Sequence, residues 1–262
     1  MLQYNLEEIF ATCRAAEAKQ SPAMVLLFPW ALQKFGSLLV NMAAEACRSA
    51  TVPVSLHLDH CQDADLVRTA ANLPFDSIMV DMSHHEKAEN LRLTRELTEY
   101  CHERGIATEA EPGRIEGGED GVKDTAQLEG VMTTPDEALE FLETGIDMLA
   151  PAFGNVHGEY GPKGPRGFLQ LDRLKSVRKA TAGRTRLVLH GSGEFDEALY
   201  RECVDAGVSK INVNVQLVAP WQDMMRQRKS FTPLTELIED SIKVFQGEVE
   251  KLMDMVKSTG KA

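Results

Sequence analysis

The sequence predicts an α/β fold, a (β/α)8 barrel on a parallel sheet, with its first strand shortened or missing at the N-terminus. Two observations carry this. Short β-branched runs alternate with longer amphipathic stretches through the whole chain, and such alternation builds a parallel sheet covered by helices. The ionisable residues of these runs gather at their C-terminal ends, most plainly in "VSLHLDHC" at 54–61, which is where a barrel keeps its working groups. The chain has 262 residues and no low-complexity segment or linker. A single barrel domain over 1–262 is therefore expected.

Taken in order, residues 5–19, NLEEIFATCRAAEAK, read as a helix. A first strand would have to precede it, where only residues 1–4 are available. Either the chain starts inside that strand or the barrel is incomplete. Seven runs follow: 23–28, 52–58, 77–81, 106–111, 146–152, 186–190 and 210–215. A closed barrel needs eight strands. Between the runs, 86–105 keeps Leu91, Leu93, Leu97 and Cys101 at a helical period and stops at Gly105. Residues 134–145 offer Thr134 as N-cap, Pro135 in the first turn, Glu137 three residues after the cap and Gly145 as the stop. An open doubly wound sheet would need helices on both faces and a switch point, and neither can be located.

Composition narrows the partners. Net charge is −12, from 28 basic and 40 acidic residues, which disfavours nucleic acid or an anionic membrane. No apolar run approaches the roughly 18 residues of a membrane span. The start, MLQYNLEEIF, lacks the basic and apolar regions of a signal peptide. The five scattered cysteines form no C-x-x-C pair and read as reduced thiols. A cytoplasmic protein is expected.

Six run ends carry chemistry. Asp59 and His60 end one run, Asp81 the next, Glu109 and Glu111 the next; His157, His190, and Asn212 with Asn214 follow the later ones. Any one of these histidines alone reads as a satisfied core residue. Three at three strand ends, beside Asp59, Asp81 and Glu111, read as three imidazoles around an open coordination position, a catalytic zinc arrangement. His57 shares a strand face with Asp59 and reads as a hydrogen-bonding residue behind the ligands. His84 and His85 read as loop structure, and His102 as a solvated group near a helix C-terminus. "EPGRIEGGEDGVKD" at 111–124 is either an exposed charged loop or a mobile lid with a proton-transfer carboxylate. "HGEYGPKGPRG" (157–167) and "HGSGEF" (190–195) could present backbone N–H groups to an anion, with Lys163 and Ser192 as side-chain donors. A lone Gly-Ser-Gly also caps helices.

Together "PVSLHLDH", "SIMVDMSH", "EAEPGRIEGGEDG", "GNVHGEYGPKG", "LVLHGSG", "GVSKINVN" and the tail "STGKA" resemble the class II, metal-dependent fructose-bisphosphate and tagatose-bisphosphate aldolases, over nearly the whole chain. The resemblance implies a class II aldolase-type barrel and a zinc-dependent lyase of carbohydrate metabolism and glycolysis. It would cleave a ketose bisphosphate, fructose 1,6-bisphosphate first, into dihydroxyacetone phosphate and glyceraldehyde 3-phosphate. It implies zinc on His60, His157 and His190, acting as a Lewis acid on the ketone. Asp81 and Glu111 would serve a second divalent position or hold the ligands. Asp59 would exchange the C4 hydroxyl proton, and Glu119 would move the proton at the neighbouring carbon. Gly158, Lys163, Gly191 and Ser192 match phosphate-binding turns, Asn212 a contact to the dihydroxyacetone phosphate portion, and Asn5 a substrate-contacting asparagine. A homodimer or larger homo-oligomer is implied.

The chain departs from the pattern in four places. The His-Gly-Gly-Ser-Gly turn is one glycine shorter at 190–193, Val215 replaces a phosphate-binding Thr, Pro29 replaces a small hydroxyl residue, and strand one is nearly absent. Losing one hydroxyl donor would cost on the order of 1 kcal/mol in phosphate binding. Two alternatives follow: a zinc-binding relative with a different substrate, and a non-catalytic barrel disabled by its short N-terminus.

Overall fold

All seven anticipated runs form strands of one sheet. The structure, a computed structural model, describes residues 1–118, 130–228 and 232–262. Its strands are β1 (Ala23–Leu27), β2 (Val54–Cys61), β3 (Ser77–Val80), β4 (Ala107–Ala110), β5 (Glu116–Gly117), β6 (Met148–Leu149), β7 (Val156–His157), β8 (Arg186–Leu189) and β9 (Val208–Ile211). The seven-stranded sheet runs β1-β2-β3-β4-β6-β8-β9, and β5 pairs with β7 separately. Every pairing is parallel, with Leu26 opposite His57, Ile78 opposite Thr108 and Leu187 opposite Val208. The helices are α1 (Leu6–Lys19), α2 (Pro29–Phe35), α3 (Ser37–Ser49), α4 (Ala64–Ala70), α5 (Lys87–His102), α6 (Pro135–Leu142), α7 (Leu171–Thr181), α8 (Glu197–Asp205), α9 (Val215–Gln227) and α10 (Leu234–Met255). The curled parallel sheet with its helices is a TIM-barrel-like α/β fold.

Local chemistry explains the boundaries. Asn5 caps α1, its Oδ1 accepting from Glu8 N at 3.0 Å. Thr134 and Glu137 form the anticipated capping box of α6. Gly105 and Gly145, at φ +73° and +94°, follow α5 and α6. Three strands differ from the pattern. β2 runs on to Cys61, because its far end is still paired to β3. β6 keeps two residues and β9 stops at Ile211; there the chain leaves the ladder so that Asn212 to Asn214 can form the loop before α9.

The first strand is shortened rather than missing. Leu2 bridges Leu26 in parallel. Leu2 N donates to Val213 O at 3.0 Å, Gln3 N to Leu26 O at 3.0 Å, and Leu26 N to Met1 O at 2.9 Å. Residues 1–3 thus join β1 to the end of β9 and draw the two edges of the sheet together. Beside this join, a cavity of about 580 Å³ lies between β1, β9 and α10, lined by Met1, Met24, Val213 and Leu252.

Alternation sorts the sheet into two faces. Val25, Leu27, Leu56, Leu58, Ile78 and Val80 join one buried cluster with Val40 and Leu97 of the helices. Leu149, Leu187 and Leu189 join another with Phe141, Leu174 and Leu199. Each such side chain contributes roughly 1.5–3 kcal/mol on burial. The opposite, inward face has two small apolar groups, Met79, Met148, Ala150 and Val188 in one and Leu26 with Leu2 and Phe28 in the other. The rest of that face is polar: His57, Ser77, Asp59 and Glu109 are all buried.

Burial also acts on Glu8, in the first turn of α1. Removal from water pushes its carboxyl up to about 7 from the ordinary 4.5, against its bond from Tyr4 N. The unfolded chain ionises this group from about pH 4.5, whereas the folded chain holds the proton until about pH 7, so its contribution to stability falls across that window. Glu8→Gln removes the titration. The melting temperature of the variant relative to the parent should rise from pH 4.5 to pH 7.5; a constant difference would contradict the buried-acid reading.

Candidate metal centre

The site grows from an irregularity in β2. Regular alternation would turn Asp59 and His60 to opposite faces. Instead the register to β3 shifts between Leu58 and Cys61, and His60 takes φ +46°, a left-handed conformation that a non-glycine residue adopts only when its surroundings hold it. Both side chains then reach into one cluster, which His190 and Asn212 link. His60 Nδ1 lies 2.9 Å from Asp81 Oδ2, and its Nε2 lies 2.9 Å from His190 Nδ1. Asp59 Oδ2 accepts from Asn212 Nδ2 at 2.8 Å, and the same Nδ2 is 3.4 Å from His190 Nε2.

The three histidines named from the sequence converge. Their ring centroids are 4.7, 4.9 and 5.6 Å apart, and one nitrogen from each lies within 4.8 Å of the others. His60, Asp81 and Glu111 satisfy the same condition, as do His57, Asp59 and Glu109. Asp81 is steadied by the Ser83 hydroxyl at 2.6 Å. Glu111 Oε1 accepts from Ile115 N at 2.6 Å, while Glu111 Oε2 and Asp59 Oδ1 are buried without a hydrogen-bond partner. A buried carboxylate oxygen left unmatched is costly. Imidazole nitrogens with such oxygens beside them fit a divalent transition-metal ion, zinc first by donor type.

The electrostatics point the same way. Burial would raise the Asp59 carboxyl, but His60, His57, Lys210 and His190 together hold it well below the usual carboxylate range. Burial would lower His60, but Asp59, Asp81 and Glu111 outweigh it and carry the imidazole up to about 10. Glu111, desolvated and facing Asp81, rises to about 8. His157 is pushed well below its ordinary value by burial and by His60 and His190.

Beneath these groups lies a layer in which the sequence assigned a role only to His57. His57, Glu109 and Lys210 each sit two residues before Asp59, Glu111 and Asn212, so alternation puts each one step deeper. Lys210 Nζ donates to Glu109 Oε2 at 2.7 Å, and Glu109 Oε1 meets His190 Nε2 at 2.8 Å. His57 Nδ1 contacts the Ser77 hydroxyl at 2.7 Å, as the hydrogen-bonding role expected. Lys210 had a signal: a lysine inside a β-branched run, in phase with Asn212, needs a buried partner. His102 is not simply solvated, since its Nε2 meets Asp147 Oδ2 at 2.8 Å.

The glycine turns are held from behind. Gly191 sits at φ +66°, and a Cβ there would lie 2.4 Å from Val156 O. At Gly117, φ +91°, it would lie 1.9 Å from His157 O. Only glycine allows these backbones so near. Tyr160 Oη donates to Gly191 O at 2.7 Å and accepts from Val156 N; buried Tyr200 Oη donates to Ser192 O at 3.1 Å. Neither tyrosine was singled out in the sequence, because the turn each braces is remote or concealed by the fold. The Ser192 hydroxyl donates to Asn212 O at 2.9 Å, so its proton serves the scaffold here. Gly158 is exposed at φ +114° and Lys163 is exposed in a 3-10 turn at Gly161–Lys163. Asn5 spends its Oδ1 on capping α1. Glu119 lies outside the described residues.

Metal binding should be strongly pH-dependent. A ligating imidazole must be neutral, and the carboxylates around His60 favour its protonated form up to about pH 10. Each ion bound displaces that proton, so affinity rises with pH. Zinc affinity measured by chelator competition should increase about tenfold per unit from pH 6 to 8; a flat profile would contradict His60 as a ligand.

The chain resembles known proteins over nearly its whole length. The family model described as fructose-bisphosphate aldolase class-II matches residues 1–261. A Coccidioides immitis protein is 56% identical over 267 residues, 99% of this chain and 88% of its own length; its aldolase name is itself provisional. A crystal structure of a Coccidioides immitis protein, also named only provisionally as a fructose-1,6-bisphosphate aldolase, superposes with a TM-score of 0.95, covering 99% of this chain and 91% of that one, at 57% identity. The fructose-bisphosphate aldolase of Streptococcus pneumoniae serotype 4 is 35% identical over 276 residues, 98% of this chain and 91% of its own. The YdjI aldolase of Escherichia coli K12 is 27% identical, with a TM-score of 0.85 over 100% of this chain and 91% of that one. This chain belongs to the class II fructose-bisphosphate aldolase family, a family of metal-dependent lyases acting on phosphorylated sugars.

Proposed function

We propose that the protein is a zinc-dependent aldolase, one barrel domain over 1–262, cleaving fructose 1,6-bisphosphate reversibly into dihydroxyacetone phosphate and glyceraldehyde 3-phosphate. The observation that carries this is the convergence of His60, His157 and His190 beside an Asp59 carboxylate with one unpartnered oxygen. When bound there, zinc supplies Lewis acidity at the ketone. Asp81 and Glu111 orient the ligands or serve a second divalent position. Asn212 fixes Asp59 Oδ2, which leaves Oδ1 to take the C4 hydroxyl proton. As that proton leaves, the C4 oxygen becomes the aldehyde carbonyl and the C3–C4 electron pair moves toward the C2 carbonyl. Protonation at C3 completes cleavage, and Glu119 is the carboxylate we assign to it. Asp59, kept anionic by its cationic neighbours, is in the correct state for the first transfer.

The substrate's phosphate is assigned to the braced turns with Gly158, Lys163, Gly191 and Ser192, its dihydroxyacetone portion to Asn212, and Asn5 to the rim. A homodimer or larger homo-oligomer is supported by exposed Trp30 and Phe35, T-shaped at 5.7 Å, with Leu38 at 66% exposure. A cytoplasmic setting is supported by five unbridged cysteines. Among the described residues no helix is long and apolar enough to cross a membrane.

A second reading, the same chemistry on a different phosphorylated ketose, is favoured by one feature. Val215 heads α9 at 58% exposure, where a hydroxyl would face an anion. The alternative of a disabled barrel is disfavoured by the hydrogen bonds of residues 1–3.

Two experiments separate these readings. Asp59→Ala should lower kcat for fructose 1,6-bisphosphate by about 10²–10⁴-fold while zinc content per chain stays unchanged; retained turnover would remove Asp59 from proton transfer. Val215→Thr should lower KM for fructose 1,6-bisphosphate about fivefold, the worth of one hydrogen bond of ~1 kcal/mol. If tagatose 1,6-bisphosphate or another ketose is turned over faster by the parent protein and KM is unmoved, the second reading stands instead.

A further inference from the structure

We infer that Glu109 and Lys210 form a buried relay that fixes the proton of His190 on Nε2, so that Nδ1 presents its lone pair to the metal position. This rests on the metal reading above, and deepens it. The two residues come from strands that are not neighbours, β4 and β9, with β6 and β8 between them. Their side chains therefore meet across the barrel interior. Glu109 is fully buried. Its two oxygens have separate partners: Oε2 accepts from Lys210 Nζ at 2.7 Å, and Oε1 faces His190 Nε2 at 2.8 Å.

The direction of the second bond follows from donor chemistry. An ionised carboxylate only accepts, and a lysine ammonium only donates. His190 Nε2 must therefore carry the hydrogen. A neutral imidazole has one N–H, so Nδ1 is left as an acceptor. That nitrogen lies 2.9 Å from His60 Nε2, inside the histidine cluster. Lys210 holds the polarity in place. While its ammonium occupies Oε2, the carboxylate cannot turn without losing its charged partner, and that partner is 9% exposed.

His57, Asp59 and Glu109 also come close enough to suggest direct ligation. The Lys210 ammonium argues against it, since a metal ion there would sit beside a resident positive charge. Glu109 is thus a positioning residue. His57 Nε2, 3.6 Å from Asp59 Oδ1 and 3.7 Å from Glu109 Oε2, borders the relay.

An amide at position 109 would reverse the relay. In Glu109→Gln, Lys210 claims the only oxygen, and the NH₂ group confronts His190 Nε2. The imidazole must then move its proton to Nδ1, which blocks the metal lone pair. Adding Lys210→Met removes the competing donor and frees the amide oxygen to turn to His190 Nε2. The test uses the full chain with zinc and a competing chromogenic chelator, and nitrogen-15 NMR of the His190 ring, assigned with His190→Gln.

Parent protein should show the Nε2–H tautomer with or without zinc. Glu109→Gln should bind zinc 10–100-fold more weakly and switch the tautomer, and Glu109→Gln/Lys210→Met should recover most of that loss. An Nδ1–H tautomer in the parent protein would overturn the relay. So would zinc affinity within twofold of parent in Glu109→Gln, or a double variant no tighter than the single one, the result expected of direct ligation. If parent protein takes up no zinc, the metal reading fails, while the tautomer of the metal-free parent still decides the relay.

Discussion

The site depends on one backbone departure, the bulge of β2 at His60. Two consecutive residues of a strand cannot face the same side while the ladder is regular. The register shift and the left-handed His60 place Asp59 and His60 together at the barrel mouth. A strained residue of this kind costs on the order of 1–3 kcal/mol unless its neighbours fix it. Asp81 and His190 are those neighbours, at 2.9 Å on either ring nitrogen. The conformation is therefore held by the same contacts that bring the ligand set together.

The second constraint is charge inside the barrel. Asp59, Asp81, Glu109 and Glu111 are all at most 2% exposed. Carboxylates this deep persist only with compensation. Lys210 supplies part of it from below, and the imidazoles supply part from the sides. Glu111, driven up to about 8, shows that compensation is incomplete around its own carboxyl. A divalent cation among these oxygens and nitrogens would relieve that imbalance, so the electrostatics and the donor geometry favour the same occupant. The chain as a whole is acidic, with a net charge of −12, so the phosphate role proposed for the glycine turns after β7 and β8 calls for local backbone donors. The tyrosine bonds from Tyr160 and Tyr200 keep those turns rigid.

Much of this was legible in the sequence. The hydrophobic runs located all seven strands of the sheet, because each strand is buried on both faces and must be apolar on the side toward the helices. The capping box at Thr134 was readable for the same reason: it is local, with donor and acceptor three residues apart. The histidines and acids stood out because ionisable groups at the ends of apolar runs demand partners. Boundaries were less legible. Nothing local marks where β9 gives way to the loop at Asn212, since the ladder ends when its neighbour β8 ends.

Sequence by itself determined the element types, the strand order along the chain and the residues able to bind a metal, because these follow from short-range periodicity and side-chain chemistry. The tertiary structure alone decided which of those residues meet. It placed Glu109 against Lys210 across two intervening strands, bent β2 so that neighbours share a face, and turned the Ser192 hydroxyl to the backbone of Asn212. It also decided that residues 1–3 suffice to link β1 to the end of β9. Each is a contact between distant segments, fixed by sheet curvature and register, which no local pattern encodes.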